Sequence, residues 1–168
     1  MTRRLLALAT CLLLGACAGG GAASSAPSPS RGVRTVSLAR LTSPHPTQHV
    51  DATILIGFDA ASAAAMVTSA PPIDFASQAL LCLYIGERST GGWSVTLQSI
   101  SLDGASLKIL AREVEPRPGT GTTQAFTYPA DCAIIDRTVL PIGQVAVRAD
   151  DTTSDEFIVD AVVQVPAP

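Results

Sequence analysis

The sequence predicts a mainly β domain, β-rich α+β in class, built as a small antiparallel barrel or sandwich with one short helix. Three observations predict it. Short strand-like runs recur at spacings of about 8 to 12 residues, separated by Gly, Pro and Asp turns. A single alanine-rich stretch, 60–67, has helical composition. The longest apolar run of the domain, Leu80–Ile85, is too short for a buried helix and reads as a strand covered on both faces.

The chain has 168 residues, room for one domain and an anchoring segment. It divides into a signal, 1–16, a tether, 17–34, and a β-rich domain, 35–168. Arg3 and Arg4 precede an apolar run from Leu5 to Leu14 and the small residues Gly15 and Ala16. This is the pattern of an export signal, and about ten apolar residues fall short of the ~20 needed to span a bilayer. Leu14-Gly15-Ala16-Cys17 resembles the lipobox of bacterial lipoproteins, which implies that Cys17 becomes the lipidated first residue. Ala18 at the next position goes with the outer membrane of diderm bacteria, so the expected localisation is the cell envelope, facing periplasm or cell surface. Several acyl chains at Cys17 would anchor the protein without a spanning helix.

Losing Arg3 and Arg4 with the signal leaves 9 of 11 basic residues against 14 acidic, a formal charge of −5. No Lys/Arg cluster remains to follow a phosphate backbone, so nucleic acid is not an expected partner. Cys11 leaves with the signal, which makes Cys82 and Cys132 a pair. In an oxidising compartment that pair reads as a disulfide, with two separate core thiols as the alternative.

Residues 18–34 are Gly, Ala, Ser and Pro with little to bury and read as a flexible tether. Val36, Leu38 and Leu41 suggest one short strand ended by Pro44-His45-Pro46. His45, His49 and Asp51 invite a metal reading, but the flanking prolines oppose a shared helical face, and no metal or cofactor is expected. Val50–Phe58 reads as a strand. Asp59 is a natural N-cap for the following helix, which Pro71 and Pro72 must stop. Ile73 and Phe75 read as core anchors around a turn capped by Asp74.

Leu80–Ile85, the Thr90-Gly91-Gly92 turn and Trp93-Val95-Leu97 read together as a hairpin holding the only tryptophan. The apolar phase then shifts from Leu97 to Ile100, as at a β-bulge. Asp103-Gly104 signals a second hairpin, with Leu107, Ile109 and Ala111 on the returning strand. Further strands are read at Thr122–Tyr128, Cys132–Ile135, Gln144–Arg148 and Phe157–Val165, the last two flanking an acidic loop at Asp150-Asp151.

Residues 72–135 resemble the PrcB C-terminal domain, named after an accessory lipoprotein of a bacterial surface protease complex. The matching residues are Pro72-Ile73-Asp74-Phe75, Gly86, Thr90-Gly91-Gly92-Trp93-Ser94-Val95, Pro116 with Pro118-Gly119, Gln124 and Tyr128-Pro129. The tryptophan-rich helical segment often found before the I-D-F element is replaced here by the alanine-rich stretch, and residues 136–168 lie outside the resemblance. The resemblance implies a non-catalytic module that binds and stabilises a protease or another envelope protein. It brings no catalytic residues.

Two roles stand open for Thr90, Gly91, Gly92 and Trp93: a tight turn leading to a core aromatic, or an exposed loop that grips a partner. The rival functions are a small-ligand-binding lipoprotein and an envelope hydrolase. A hydrolase needs a nucleophile held by an oriented base, or two opposed carboxylates. The sequence has no G-x-S-x-G, and Glu87, Glu113 and Glu115 read as solvated.

Overall fold

The computed structural model describes residues 32–42, 45–119 and 121–167. The segment read as an export signal, Cys17 and nearly all of the segment read as a tether lie outside them. Among the described residues nine strands form two sheets packed face to face, so the architecture is a sandwich rather than a closed barrel. One sheet has the order β1-β5-β6-β8-β9: Arg34–Val36, Ser94–Asp103, Ser106–Val114, Gly143–Asp151 and Phe157–Val165. The other has the order β2-β7-β4-β3: Leu38–Arg40, Ala130–Asp136, Gln78–Ile85 and Ala52–Gly57. All pairs are antiparallel except β6 with β8, which run parallel because the chain leaves through the second sheet between them.

The sequence expectation of one strand around Val36–Leu41 needs correction. Val36 pairs with Ile100 in the first sheet and Leu38 with Ile135 in the second, so the chain changes sheet at Ser37. Along this edge the backbone itself joins the two sheets. At the opposite edge β3 and β9 end their sheets and share no ladder.

The apolar alternation of each strand points into the space between the sheets. Leu81, Leu83 and Ile85 of β4 meet Leu97, Ile100, Leu107, Ile109, Val145 and Val147 there, all nearly or fully buried. The other face of β4 is covered too. Leu80, Cys82 and Tyr84 lie beneath α1, Ala60–Met66, which presents Ala63 and Met66 to them. Both faces of β4 are thus dry, as the uninterrupted run Leu80–Ile85 predicts. Gly57 lets the helix sit tight on β3, since a Cβ there would lie 3.0 Å from the Ala63 amide nitrogen and 3.1 Å from Met66 Sδ.

The helix starts where the sequence places it. Asp59 Oδ1 accepts from the Ser62 amide at 2.7 Å, and Ser62 Oγ accepts from the Asp59 amide, a reciprocal cap. Asp74 likewise caps its turn, accepting from the Ala76 amide and the Ser77 hydroxyl. Ile73 and Phe75 pack partly buried against the cluster under the helix.

Cys82 and Cys132 are directly opposed on β4 and β7 and form a disulfide. It closes a separation of 50 residues within the fully buried layer. The bulge expected after Leu97 is present, with a register shift between Leu97 and Ser99. The second hairpin is present one residue later than read: Asp103 pairs with Ser106, and Gly104-Ala105 forms the loop, with Gly104 at φ 59°.

Three other expectations change. Leu80–Ile85 and Ser94–Asp103 are not a hairpin, because both edges of β4 are occupied, by β3 and by β7. With no free edge beside β4, residues 86–93 form a corner that carries the chain into the other sheet. Thr122–Tyr128 is not a strand. Only Thr127 makes a bridge, to Arg88 in that corner, and Phe126 is 64% exposed. Asp150 and Asp151 are not a loop but the buried end of β8.

Candidate functional site

The corner 86–93 is built from backbone constraints before any side chain matters. Gly86, at φ 82°, has its Cα side against the Val50 carbonyl and the Ala52 amide, with room for no Cβ. The Arg88 amide donates to Thr127 O and the Thr127 amide returns to Arg88 O, at 2.8 and 2.9 Å. The Gly91 amide donates to Thr123 O, and a Cβ on Gly91 would run into Thr123 Oγ1. Gly92 takes φ 91° with Pro116 close behind it. The Thr127 hydroxyl donates to the Thr90 carbonyl at 2.9 Å.

Thr90, Gly91 and Gly92 are therefore committed to holding the corner against the 116–127 segment. Trp93 is different. Its ring is half-buried, not a core aromatic, and the Arg88 guanidinium lies 5.1 Å from the ring centroid. Arg88 is fixed in turn by Glu113, whose Oε1 accepts from Nη2 at 2.7 Å and from Nε at 3.2 Å. Glu87 is engaged as well, accepting from the Tyr128 hydroxyl at 2.8 Å, and this bond raises the Tyr128 pKa. The sequence reading of Glu87 and Glu113 as simply solvated is thus corrected for both.

Trp93, Arg88 and Glu113 form one side of an open cleft of about 690 Å³ at the end of the sandwich. The cleft lies at one end of the β3 and β9 edges, which run close together without a ladder. Ala52 of β3 and Ile85 of β4 bound it from one sheet, and Phe157 and Ile158 of β9 from the other. Its far wall is the β8–β9 connection, which is held firmly. The Asp151 carboxylate accepts from the Glu113 amide at 2.8 Å, from the Thr153 and Ser154 amides, and from the Ser154 hydroxyl. Burial pushes the Asp151 pKa up, but these donors outweigh it and hold the carboxyl below its ordinary value.

Neighbouring Asp150 is also held below its ordinary value: burial opposes this, and Arg148 at 2.7 Å and Lys108 at 3.4 Å outweigh burial. The Arg148 guanidinium also sits 5.0 Å from the ring centroid of Phe157, which is 51% exposed. Two polar residues with structural tasks escaped the sequence reading. Asp131 is 4% exposed and accepts from the Leu97 amide of the opposite sheet at 2.8 Å and from Arg40 Nε at 2.9 Å. Arg137 donates to the carbonyls of Phe75, Pro166 and Ala167, tying down the C-terminal segment. No pattern in the sequence marks either, because these partners, Arg40 and the Leu97 amide for Asp131 and backbone carbonyls for Arg137, lie far away along the chain.

Of the two histidines, His49 packs and the exposed His45 takes part only through its backbone. His49 lies against the Tyr84 ring, with centroids 4.2 Å apart, and the Thr47 hydroxyl near its Nε2 donates to carbonyls at the end of α1. The His45 carbonyl accepts from the Thr68 amide. Among the described residues no group of three His, Cys, Asp or Glu side chains gathers as metal ligands would. Nor is any helix among them long and apolar enough to cross a membrane.

Residues 80–136 match the family described as PrcB C-terminal. The match opens at the start of the buried β4 run and closes at the end of β7, so it contains the disulfide, the corner and the β5–β6 hairpin. The Pro72–Phe75 element of the sequence resemblance lies outside it. No curated protein and no solved structure matches the chain.

Proposed function

We propose, on the premise that residues 80–136 are a PrcB C-terminal segment, that this protein is a lipid-anchored envelope module that binds and stabilises another protein. The partner class the family suggests is a protease complex of the envelope, with the module as its non-catalytic accessory. The observation that carries the reading is the contrast within the matched segment. Gly86, Gly91 and Gly92 are spent on locking the corner, while Trp93 is left partly exposed at the lip of an open cleft. Aromatic side chains held rigidly at a surface are the usual anchors of protein interfaces.

In this reading Cys17 carries the lipid, residues 17–34 are the tether, and the outer membrane is the anchoring site. A linker of about 15 residues of this composition reaches on the order of 20 Å from the surface. The module then reaches a membrane-bound partner without a spanning helix of its own.

In-cell cross-linking of the anchored protein, followed by identification of what is held, tests the reading. A reproducible protein adduct is expected, lost when Trp93 is replaced by alanine. Efficient cross-linking that recovers no protein would overturn it. Cys17→Ser is expected to give a non-lipidated protein that no longer sediments with membranes. Continued membrane attachment after clean signal cleavage would remove the lipid anchor from the account.

A further inference from the structure

The cleft beside Trp93 also shows what kind of segment it fits. Four of its lining residues, Glu113, Glu115, Asp151 and Glu156, are carboxylates, against the single guanidinium of Arg88. Asp151 is occupied by backbone and hydroxyl donors, and Glu113 is occupied by Arg88. Glu115 and Glu156 are exposed, and among the described residues neither takes part in an ion pair. The cleft therefore carries uncompensated negative charge beside two partly exposed aromatic rings.

Those rings already show which group suits them. Arg88 lies 5.1 Å from the Trp93 centroid, and Arg148 lies 5.0 Å from the Phe157 centroid. In both places the chain settles a guanidinium on an aromatic face with a carboxylate behind it, Glu113 in one case and Asp150 in the other. The cleft between the rings repeats the same ingredients, aromatic surface and carboxylates, with room for more than one side chain in its ~690 Å³. Beside it, β9 is the end strand of its sheet, and Phe157 and Ile158, where it begins, form the cleft wall. β3 lies beside β9 but shares no ladder with it, so the start of β9 offers main-chain groups to an extended peptide within the cleft.

We propose that the cleft receives an arginine- or lysine-bearing extended segment of the partner protein, its cationic side chain lodged between Trp93 and Phe157 and paired with Glu115 and Glu156. The proposal rests on the binding-module reading and names the chemistry of its partner. Charge complementarity selects this occupant over an acidic or wholly apolar segment, since either would leave the carboxylates unpaired.

Trp93 is the only tryptophan of the chain, so its fluorescence reads the cleft directly. The probes are a blocked valine-arginine-valine peptide, the same peptide with norleucine or glutamate in place of arginine, and blocked arginine amide, each titrated into the full protein. The arginine peptide is expected to shift Trp93 emission saturably below about 10 mM, and the norleucine peptide to bind at least about tenfold more weakly. The double variant E115Q/E156Q is expected to weaken the arginine peptide about tenfold while leaving the thermal unfolding curve and the norleucine peptide unchanged. Equal binding of the arginine and norleucine peptides, an unaffected double variant, or no saturable shift would overturn the proposal. Blocked arginine amide binding as tightly as the peptide would also overturn it, pointing to a small-ligand site instead. A partner still captured by cross-linking while these titrations fail would place the interface elsewhere on the domain, leaving the binding reading intact and this inference refuted.

Discussion

Strand β4 and the corner that follows it are neighbours in sequence and opposites in physics. From Ala79 to Ile85 every residue is essentially buried, one face in the sandwich and the other under α1, with the disulfide in the second layer. From Glu87 to Trp93 every residue but Gly91 is at least partly exposed, and the stretch is held by hydrogen bonds, one ion pair and glycine conformations. The strand is stabilised by apolar area removed from water, a term that tolerates few changes. The corner is stabilised by local polar contacts in partial contact with solvent, each worth little alone. Stability should therefore concentrate in the strand and recognition in the corner, and the two should separate under mutation.

The largest separation is expected at the disulfide. Replacing Cys82 and Cys132 together by alanine is expected to cost roughly 4 kcal/mol by loop entropy, for the 50-residue separation the bond closes. Chemical denaturation with and without reductant checks it, and an unchanged midpoint would show that the buried layer does not depend on the bond. Leu81→Ala is expected to cost about 3 kcal/mol, because the side chain is fully buried in the sandwich. Asp131→Ala is expected to cost about 2 kcal/mol, since it strands the Leu97 amide between the sheets without an acceptor. Partner capture by the folded fraction of all three variants should persist. The smallest stability effect is expected at Trp93→Ala, about 1 kcal/mol for a half-buried ring with one cation–π contact. Here partner capture should fail although the fold survives.

Acid distinguishes the two regions in another way. Asp150 and Asp151 at the cleft wall are held below their ordinary pKa in the folded protein. Their contribution to stability is therefore complete above the unfolded carboxylate value of about 4 and is lost as pH falls through the lower folded values. Hydrogen exchange below pH ~4 is expected to loosen the β8–β9 connection while β4 stays protected. Simultaneous loss of protection in both would show that the cleft wall and the core open as one unit.

How much of this was legible in the sequence follows the same division. The apolar run Leu80–Ile85, the cap at Asp59, the bulge after Leu97 and the paired cysteines were readable, because local pattern and residue type determine them. The match of 80–136 to the PrcB C-terminal family also answers to motifs visible in the chain. What was misread depends on which strand edges are free. A hairpin between Leu80–Ile85 and Trp93–Leu97 is the natural local reading, but β3 and β7 take both edges of β4 and force the corner. Likewise Thr122–Tyr128 has strand-like alternation and lacks a strand to join, so it closes on the corner through separate bonds at Thr123, Thr127 and Tyr128 rather than a ladder. The cleft was not legible, since its walls come from Ala52, Trp93, Glu113 and Phe157, far apart in sequence. The burial of Asp150 and Asp151 at the end of β8 was hidden in part for the same reason, since beside the nearby donors Arg148, Thr153 and Ser154 they are held by Lys108 and Glu113, far away along the chain.

The most direct test of the recognition surface is a photo-cross-linking amino acid placed at Phe157, on the cleft wall, and separately at Ile142, which is 68% exposed just before the opposite end of β8. With both variants anchored and folded in cells, illumination should give a protein adduct from position 157 and none from position 142. An adduct from position 142 alone, or equal adducts from both, would contradict the assignment of the cleft beside Trp93 as the surface that holds the partner.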